Sequence, residues 1–370
     1  MVKFLHTSDW QIGMKGSGLG AAASLVAEQR IQTLERVLDL AQSEHVDFVV
    51  ACGDLFEHNQ VADDQVTAVA RILRAYPSVE VHAIPGNHDL PGPGSVWNRA
   101  ALRGVPNLHP HVTAEPVPTL LRNGVDYVVL HPFPVLTRHS HSDPLVQLQS
   151  LSDDALIHIG LAHGHILKVT FGAHESEIKL PIDPEHVDGS GLDYLALGHW
   201  HGTRLFGTRI AYSGTHEQSS YGESDAGNIL IVSIVDKGAP PEIRAVRVGQ
   251  LRWDHRELSF AGDDSIVRLR DLLSGCEADF LELVLDGELP DRVYEDYRDA
   301  IGTASKFKHL RLGDTRLQWI PDTGDSLPIL SDLSLAEVQR RLAELANTQD
   351  AEVVREAKRL LGQYAQEAGL

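Results

Sequence analysis

The chain begins with an alternation of two hydrophobic patterns, one typical of strands and the other typical of helices. Lys3–Thr7 and Val79–Ile84 are short strand-like segments, and Phe48–Cys52 is an unbroken apolar run, as in a strand buried on both faces. Between them, Ser24–Glu44 and Asp64–Ala75 repeat apolar positions at helical spacing. This β-α-β-α-β order predicts an α/β fold in which the loops that follow the strands carry the chemistry.

After residue 91 the pattern is less regular. Prolines, glycines and histidines are frequent in residues 91–119, which we predict to be a surface loop. Asp236–Gly238 is predicted to be the hairpin turn between the last two strands of this part of the chain. The segments with strand-like patterns are Tyr127–Leu130, Leu156–Ala162, Leu192–Leu197, Arg209–Tyr212, Ile229–Val235 and Glu242–Val248.

The pattern divides the chain, whose 370 residues exceed one domain of ordinary size, into three predicted parts. Residues 1–250 carry the α/β pattern described above, and residues 251–321 form a smaller α/β unit. The third part, residues 322–370, is helical and contains a capping box at Ser334–Glu337. The elements predicted in the smaller unit are the helices Ile266–Leu273 and Val293–Ile301 and the strands Phe280–Leu285 and His309–Trp319.

The composition favours a folded protein with a strongly acidic character. Hydrophobic residues make up 42% of the chain, which is enough for a sizeable core. Acidic residues outnumber basic ones by 52 to 32, and the formal net charge is −20. Nucleic-acid-binding proteins usually carry a basic face. A DNA substrate would therefore require metal ions, a local basic strip or a partner subunit to offset the repulsive field.

The cysteines and the lengths of the apolar runs bear on the cellular compartment. Cys52 and Cys276 lie far apart in apolar stretches, which is typical of buried thiols in a reducing compartment rather than of a disulfide. No apolar run approaches the ~20 residues that a membrane-spanning helix requires. We therefore expect a soluble, cytoplasmic protein without a membrane partner.

Side chains that bind divalent metals follow strand-like segments in a particular order along the chain. Each one would be unremarkable as a turn residue by itself, but the ordered set supplies oxygen and imidazole ligands for two metals. Two-metal hydrolysis needs a bridging carboxylate, further ligands on each metal, and open positions for water and phosphate. The predicted metal ligands are Asp9, Gln11, Asp54, Asn87, His163, His199 and His201.

Asp54 is the predicted bridging ligand, because it follows a buried strand and Gly53, which allows a sharp turn. Asp9, Gln11 and His201 would complete one metal site. Asn87, His163 and His199 would complete the other site, since the single residue between His199 and His201 places the two imidazoles on neighbouring metals.

The residues next to Asn87 are predicted to act on the substrate rather than on the metals. His88 can reach a bound phosphate, where it would stabilise charge or protonate the leaving oxygen. Asp89 is expected to orient His88, and His58 is a candidate for contact with a substrate phosphate. The arginines considered for substrate contact are Arg30, Arg99, Arg103 and Arg138.

As a set, these motifs resemble the calcineurin-like metallophosphoesterase superfamily and, within it, the SbcD-type DNA repair exonucleases. The resemblance covers roughly residues 1–235. The matching motifs are His6-Thr7-Ser8-Asp9-Trp10, Gly53-Asp54-Leu55-Phe56-Glu57, Gly86-Asn87-His88-Asp89, Leu161-Ala162-His163-Gly164, Leu197-Gly198-His199-Trp200-His201 and Tyr212-Ser213-Gly214-Thr215.

The resemblance implies a four-layer α/β/β/α sandwich that hydrolyses DNA phosphodiester bonds with two metals, as an exonuclease or endonuclease in DNA repair. It implies that residues 251–321 form a DNA-facing cap. It also implies that the C-terminal helices dock an SMC-like coiled-coil ATPase, and that the protein forms a homodimer, as members of this family often do.

Gln11 is the one departure from the family's first motif, which normally reads Asp-x-His. A glutamine amide oxygen is neutral and a weaker donor than imidazole. It should loosen one metal and favour hard, oxygen-preferring ions, with Mn²⁺ ahead of Mg²⁺. Water in place of Gln11 is the alternative.

Two other functions remain open from the sequence. A small-molecule phosphodiesterase of the same superfamily is favoured mildly by the charge of −20, because small substrates need no basic face. A non-catalytic adaptor that binds DNA ends or the ATPase has Gln11 as its only support.

Overall fold

The computed structural model describes residues 1–320 apart from Ser17, 149–150, 152–155, 168–178 and Asp263, and a few helical positions between Val338 and Leu361. The chain divides into two compact units, Met1–Arg252 (unit 1) and Trp253–Leu370 (unit 2). The predicted helical part, residues 322–370, lies almost wholly outside the described residues. Within the described ranges, no helix is long and apolar enough to span a bilayer.

The longer strands and helices of unit 1 follow the predicted order, and several short elements between them were not predicted. The described helices are α1 (Ala23–Ser43), α2 (Asp63–Ala75) and α3 (Ala100–Arg103). The described strands are β1 (Val2–Thr7), β2 (Phe48–Cys52), β3 (Val81–Ile84), β4 (Leu108–Pro110), β5 (Val117–Leu120), β6 (Tyr127–Phe133), β7 (Ile157–His163), β8 (His165–Ile166), β9 (Pro181–Ile182), β10 (Tyr194–Gly198), β11 (Arg204–Phe206), β12 (Ile210–Tyr212), β13 (Asn228–Ile234) and β14 (Glu242–Arg247).

In the described part of unit 1, a first sheet (sheet 1) has the strand order β14-β13-β1-β2-β3-β4. β1 to β4 are parallel to one another, with His6 of β1 opposite Val50 of β2, and β13 runs antiparallel to β1. Helices α1 and α2 cover one face, where Leu34, Leu38 and Val69 are fully or almost fully buried. The apolar positions at helical spacing are therefore the side of each helix that packs on the sheet.

A second sheet (sheet 2) has the order β11-β12-β10-β7-β6-β5 among the described strands. β6, β7, β10 and β12 are parallel, and Gly198 at the end of β10 lies opposite His163 at the end of β7. Sheets 1 and 2 pack face to face, with Phe4, Phe48 and Ile159 in the core between them. Phe48–Cys52 is an unbroken apolar run because this core covers one face and the helices cover the other.

The predicted α/β sandwich is confirmed. Over the outer face of sheet 2, the described residues form loops, the two-stranded parallel sheet β8-β9 and two short 3-10 helices, Pro144–Gln147 and Pro184–His186. Leu145 and Val187, in and beside these helices, belong to the same buried cluster as Leu197 of β10. In the described part of the chain this outer layer contains no α-helix.

The prediction that residues 91–119 form a surface loop is wrong. They contain a 3-10 helix (Val96–Asn98), α3, β4 and β5, and the side chains of Trp97 and Leu102 are buried. These elements are too short to show a period in the sequence. β4 is a strand because Leu108 pairs with Val81 at the edge of sheet 1, a contact that local sequence does not reveal.

The described part of unit 2 has an α/β arrangement up to Ile320, and the division of this part of the chain at residue 321 stays a prediction. The described strands of unit 2 form a parallel sheet in the order β15-β16-β17, and its core includes Leu269, Leu273 and Leu283. The first of these strands was not predicted, because charged residues interrupt its alternation. The elements are β15 (Trp253–Phe260), α4 (Ser265–Gly275), β16 (Phe280–Pro290), α5 (Tyr294–Gly302) and β17 (His309–Ile320).

Candidate metal centre

The predicted metal ligands lie at the carboxyl ends of strands from both sheets. Asp9 follows β1, Asp54 follows β2 and Asn87 follows β3 in sheet 1. His163 ends β7, and His199 follows β10, in sheet 2. Parallel strands place their carboxyl ends at one edge of a sheet, and the face-to-face packing brings the two edges together.

Three of the predicted ligands form a compact buried group. Donor atoms of Asp9, Asp54 and His163 all lie within 4.8 Å of one another. His163 Nε2 is 3.2 Å from Asp54 Oδ2 and 3.1 Å from Asn87 Oδ1. Asn87 therefore joins the group through its amide oxygen, which is the atom that would bind a metal.

The two histidines after β10 approach the group from sheet 2. The backbone N–H of His199 donates to both carboxylate oxygens of Asp9, at 3.2 and 3.1 Å. The imidazole rings of His199 and His163 have their centroids 5.2 Å apart. His201 Nδ1 donates to Glu223 Oε1 at 2.6 Å, so that Nε2 is the ring nitrogen left to bind a metal.

Gln11 is held beside the group by its backbone. Its N–H donates to the carbonyl of Asp54 at 2.9 Å, and the residue is 6% exposed. Its side-chain amide makes no hydrogen bond within the described part of the chain. Ligation of a metal by Gln11 stays a prediction.

Several of these residues have an unfavourable backbone conformation. Asp9, Gln11, Asp54 and His199 all have positive φ angles, of 52°, 41°, 53° and 103°. Non-glycine residues rarely adopt this region, and such strain of roughly 1–3 kcal/mol per residue persists mainly at functional sites. The surrounding fold therefore stabilises a geometry that the local chain disfavours.

Three glycines let the strand ends approach the ligands. A Cβ on Gly53 would lie 2.3 Å from His163 Nδ1, and one on Gly86 would lie 2.2 Å from Asp54 Oδ1. A Cβ on Gly198 would collide with the carbonyl oxygen of Cys52, which accepts a hydrogen bond from His163 Nδ1. Only hydrogen fits at these positions, so the glycines around the motifs are required by close packing.

The charges at the site interact strongly because the side chains are buried. Burial alone would raise the pKa of Asp54, but the adjacent His163 lowers it to about 2. Burial alone would lower the pKa of His163, but Asp54 raises it to about 9. Burial raises the pKa of Asp9, and the nearby negative charge of Asp54 adds to this effect.

This donor set fits divalent cations. Asp9 and Asp54 are two buried carboxylates beside each other, 0% and 2% exposed, and a cation offsets both their desolvation and their repulsion. Carboxylate, amide and imidazole donors together suit Mn²⁺, Mg²⁺, Fe²⁺ and Zn²⁺. The same set does not identify the ion.

His88 lies at the edge of the group and points one ring nitrogen towards it. Its Nδ1 donates to the carbonyl of Glu57 at 2.9 Å, and its Nε2 is 4.0 Å from Asp54 Oδ2. Its backbone N–H donates to Asp54 Oδ1 at 2.8 Å. The side chain is 35% exposed, so Nε2 is accessible to a substrate.

Asp89 occupies a different place from the one expected. It is fully buried and accepts hydrogen bonds from the backbone N–H groups of Gly86, Leu55 and Phe56. These bonds tie the loops after β2 and β3 together. The group that orients the ring of His88 is Glu57, so the expectation that Asp89 does so is corrected.

The remaining substrate-contact candidates lie in different surroundings. His58 is partly buried, and its Nδ1 has no hydrogen-bond partner within the described ranges. Arg138 Nε donates to the carbonyl of Asn87 at 3.3 Å, at the surface beside the group. Arg99 donates to the carbonyls of Asn59 and Val61.

Arg30 is not available to a substrate, contrary to expectation. It is 1% exposed and donates to the backbone carbonyls of Asp9, Trp10 and Glu217 and to Thr215 Oγ1. Its side chain therefore stabilises the loop that carries Asp9. The position of Arg30 on the buried face of α1 was the only signal for this role in the sequence.

Glu223 is a residue of the site that the sequence reasoning missed. It lies in the chain after β12 and accepts the hydrogen bond from His201 described above. Its distance of 22 residues from His201 along the chain hides the contact from motif inspection.

Comparison with known proteins agrees with this arrangement. Residues 2–203 match the calcineurin-like phosphoesterase family, which is more than half of the 370-residue chain. The chain belongs to this family.

Two curated relatives show the range of the family. Over 239 residues the chain is 25% identical to the uncharacterized metallophosphoesterase YhaO of Bacillus subtilis, covering 62% of this chain and 56% of YhaO. Over 229 residues it is 24% identical to the DNA double-strand break repair protein Mre11 of Saccharolobus solfataricus, covering 58% of this chain and 54% of Mre11. The match thus spans about half the length of each relative.

Solved structures with a similar fold include the protein TT1561 of Thermus thermophilus, with a TM-score of 0.42, 14% identity, and coverage of 67% of this chain and 99% of that one. They also include a dimetal phosphatase from Danio rerio, with a TM-score of 0.38, 14% identity, and coverage of 65% and 98%.

Proposed function

We propose that this metallophosphoesterase hydrolyses phosphodiester bonds of DNA with two divalent metal ions. Mn²⁺ is the favoured ion, ahead of Mg²⁺. The observation that carries the proposal is the buried group of Asp9, Asp54 and His163, with Asn87 and His199 in contact with it. These side chains supply both anionic oxygens and imidazoles at one point of the fold.

When bound, the metals supply Lewis-acid activation of the water nucleophile and neutralise charge on the phosphate. The chain's own residues hold and orient the reacting groups. Asp54 would bridge the two metals in this proposal, and its carboxylate is oriented by the N–H of His88 at Oδ1 and by His163 at Oδ2. His88 would contact the phosphate through Nε2, which is turned towards the group because Glu57 accepts from Nδ1.

Two observations support DNA as the substrate. The relative from Saccharolobus solfataricus is a DNA double-strand break repair protein, and its similarity extends over 58% of this chain. Arg138 lies at the surface beside Asn87, where a guanidinium can contact a backbone phosphate. The net charge of −20 argues in the other direction and favours a small phosphodiester.

Partners are part of the same proposal. An SMC-like coiled-coil ATPase that docks on residues 322–370 would deliver DNA ends, and a homodimer would present two sites. Light scattering of the purified protein, alone and mixed with such an ATPase, measures both. A monomer that forms no complex contradicts both.

The substrate proposal is tested with end-labelled linear DNA and bis-(p-nitrophenyl) phosphate, each with Mn²⁺ and with EDTA. Asp54→Asn serves as the variant in which the expected bridging carboxylate is lost. We expect the wild type to cleave both substrates with Mn²⁺ and neither with EDTA. The variant should cleave neither substrate under either condition.

The other outcomes point elsewhere. If the wild type cuts only the small diester, the small-molecule phosphodiesterase replaces the nuclease as the proposed function. If the wild type cuts neither substrate but binds DNA, the non-catalytic adaptor replaces the nuclease as the proposed function.

A further inference from the structure

The three histidines of the candidate metal centre differ in the hydrogen bonds that their rings make to groups other than the predicted ligands. His163 Nδ1 donates to a backbone carbonyl, that of Cys52, at 2.9 Å. His201 Nδ1 donates to a carboxylate, that of Glu223, at 2.6 Å. The ring of His199 makes no hydrogen bond within the described part of the chain. Of the three, His201 is therefore the one paired with a full negative charge by such a bond.

The carboxylate of Glu223 is held in place independently of His201. It accepts from the backbone N–H of Ser219 at 2.7 Å and of Ser220 at 3.1 Å, and from the hydroxyl of Ser219. Its side chain is 10% exposed. The loop that follows β12 thus sets the position of the carboxylate, and the carboxylate sets the orientation of the imidazole.

We propose that Glu223 is a positioning residue for one of the two metals, acting through His201. A carboxylate that accepts from Nδ1–H leaves Nε2 as the only free ligand atom, fixes the ring orientation and makes the imidazole a stronger donor. This inference rests on the proposed two-metal site.

The expected effect is confined to one metal because only that metal would be bound by His201. The same metal is expected to have Gln11 as a ligand, whose amide oxygen carries no charge. Glu223 would make the imidazole of His201 a stronger donor and so offset the amide of Gln11, which is a weaker donor than the imidazole it replaces. The other metal, with His163 and His199, has no carboxylate behind its histidines in the described part of the chain.

The matched control is a second carboxylate–imidazole pair, whose glutamate precedes β3 whereas the predicted ligand Asn87 follows it. Glu80 Oε2 lies 2.7 Å from His109 Nε2 at the edge of sheet 1, beside β3 and β4. Glu80→Gln makes the same chemical change as Glu223→Gln in a pair that contains no predicted ligand. Glu223→Gln keeps the size of the side chain and removes its charge.

Metal-free wild type, Glu223→Gln and Glu80→Gln are each titrated with Mn²⁺. Calorimetry measures the binding, and the electron paramagnetic resonance spectrum reports on the bound ions. The wild type and Glu80→Gln are expected to bind two ions and to give the spectrum of a coupled pair. Glu223→Gln is expected to bind one ion about 10–100-fold more weakly, in the range found for such outer partners, and the other ion unchanged.

A double-mutant cycle separates positioning from general support of the fold. If Glu223 acts through His201, then Glu223→Gln weakens metal binding no further in a protein that already carries His201→Ala. Additive losses, or equal weakening of both ions with a lower melting temperature of the metal-free protein, would overturn the inference. Unchanged Mn²⁺ binding by Glu223→Gln would overturn it too, while leaving the two-metal site intact. A wild type that binds no Mn²⁺ would instead contradict the proposed function itself.

Discussion

His163 and Asp54 join the two sheets at the candidate metal centre. His163 Nε2 lies 3.2 Å from Asp54 Oδ2, with the two side chains 0% and 3% exposed. The histidine ends a strand of sheet 2 and the aspartate follows a strand of sheet 1, so packing of the sheets is what makes the contact. Correct assembly of the site therefore depends on the core between the sheets and on the loops that leave it.

Replacement of His88 by alanine should reduce cleavage of linear DNA by about 10²–10⁴-fold, the usual contribution of a general acid, because the alkoxide leaving group needs a proton. Metal binding should be unchanged, because His88 contacts Asp54 through its backbone N–H, which alanine retains. Steady-state kinetics and a Mn²⁺ titration measure the two effects. His139→Ala, at an exposed position, is the control, and loss of metal binding in His88→Ala would contradict the prediction.

Gly86→Ala should disrupt metal binding, because the new Cβ would lie 2.2 Å from Asp54 Oδ1. The backbone at Gly86 does not have a positive φ, so the collision is the only cause. Gly275→Ala at the end of α4 is the control, since its Cβ would meet nothing within 4 Å. We expect Gly86→Ala, and not Gly275→Ala, to lose at least about tenfold in Mn²⁺ affinity. Mutation of residues that only hydrogen-bond to metal ligands already costs about this much, and here a ligand itself is displaced. Equal affinities of the two variants would show that the loop relaxes.

Arg30→Met should lower the free energy of unfolding by about 3–5 kcal/mol, as when one partner of a buried charged network is removed. The substitution removes both Arg30 donors from the buried carbonyl of Trp10. It also leaves the single hydroxyl of Thr215 to serve the carbonyls of both Asp9 and Glu217. Arg36→Met on the exposed side of the same helix should change stability by less than about 0.5 kcal/mol. Urea unfolding of the metal-free proteins measures both, and similar losses would contradict the buried role of Arg30.

His82 should make the fold less stable in mild acid. Burial, together with the nearby His111 and His109, lowers its pKa to about 3. An unfolded histidine has a pKa of about 6.5, so below this pH the unfolded chain binds a proton that the folded chain excludes. Stability is therefore full above pH 6.5 and falls as the pH decreases towards 3.

Between pH 6.5 and pH 5.0 this one group should cost on the order of 2 kcal/mol, at about 1.36 kcal/mol per unit. Urea unfolding of His82→Gln should show a pH-dependent loss smaller by about this amount. The groups that face His82 are His109, His111 and the ring of Phe48, with Glu80 bound to His109. His139→Gln, at the surface, should retain the wild-type pH dependence. An unaltered slope in His82→Gln would count against the prediction.

Most of the architecture, and the residues that the fold brings together at the candidate metal centre, could be predicted from the sequence alone. Long periodic segments such as α1 and the unbroken apolar run of β2 were predicted to within a few residues, because burial on one or both faces imposes the pattern. The order of Asp9, Asp54 and His163 after strands was also visible, since parallel strands present their carboxyl ends at one edge.

The partners of individual side chains became visible only in three dimensions. Glu223 contacts His201, Arg30 supports the Asp9 loop, and Asp89 ties two loops together instead of orienting His88. Each of these contacts joins segments that are distant or differently oriented in the chain, and a local pattern records a residue's burial but not its partner. Hydrophobic periodicity reflects which face of an element is buried, whereas hydrogen-bond partners depend on how the two sheets and their loops pack.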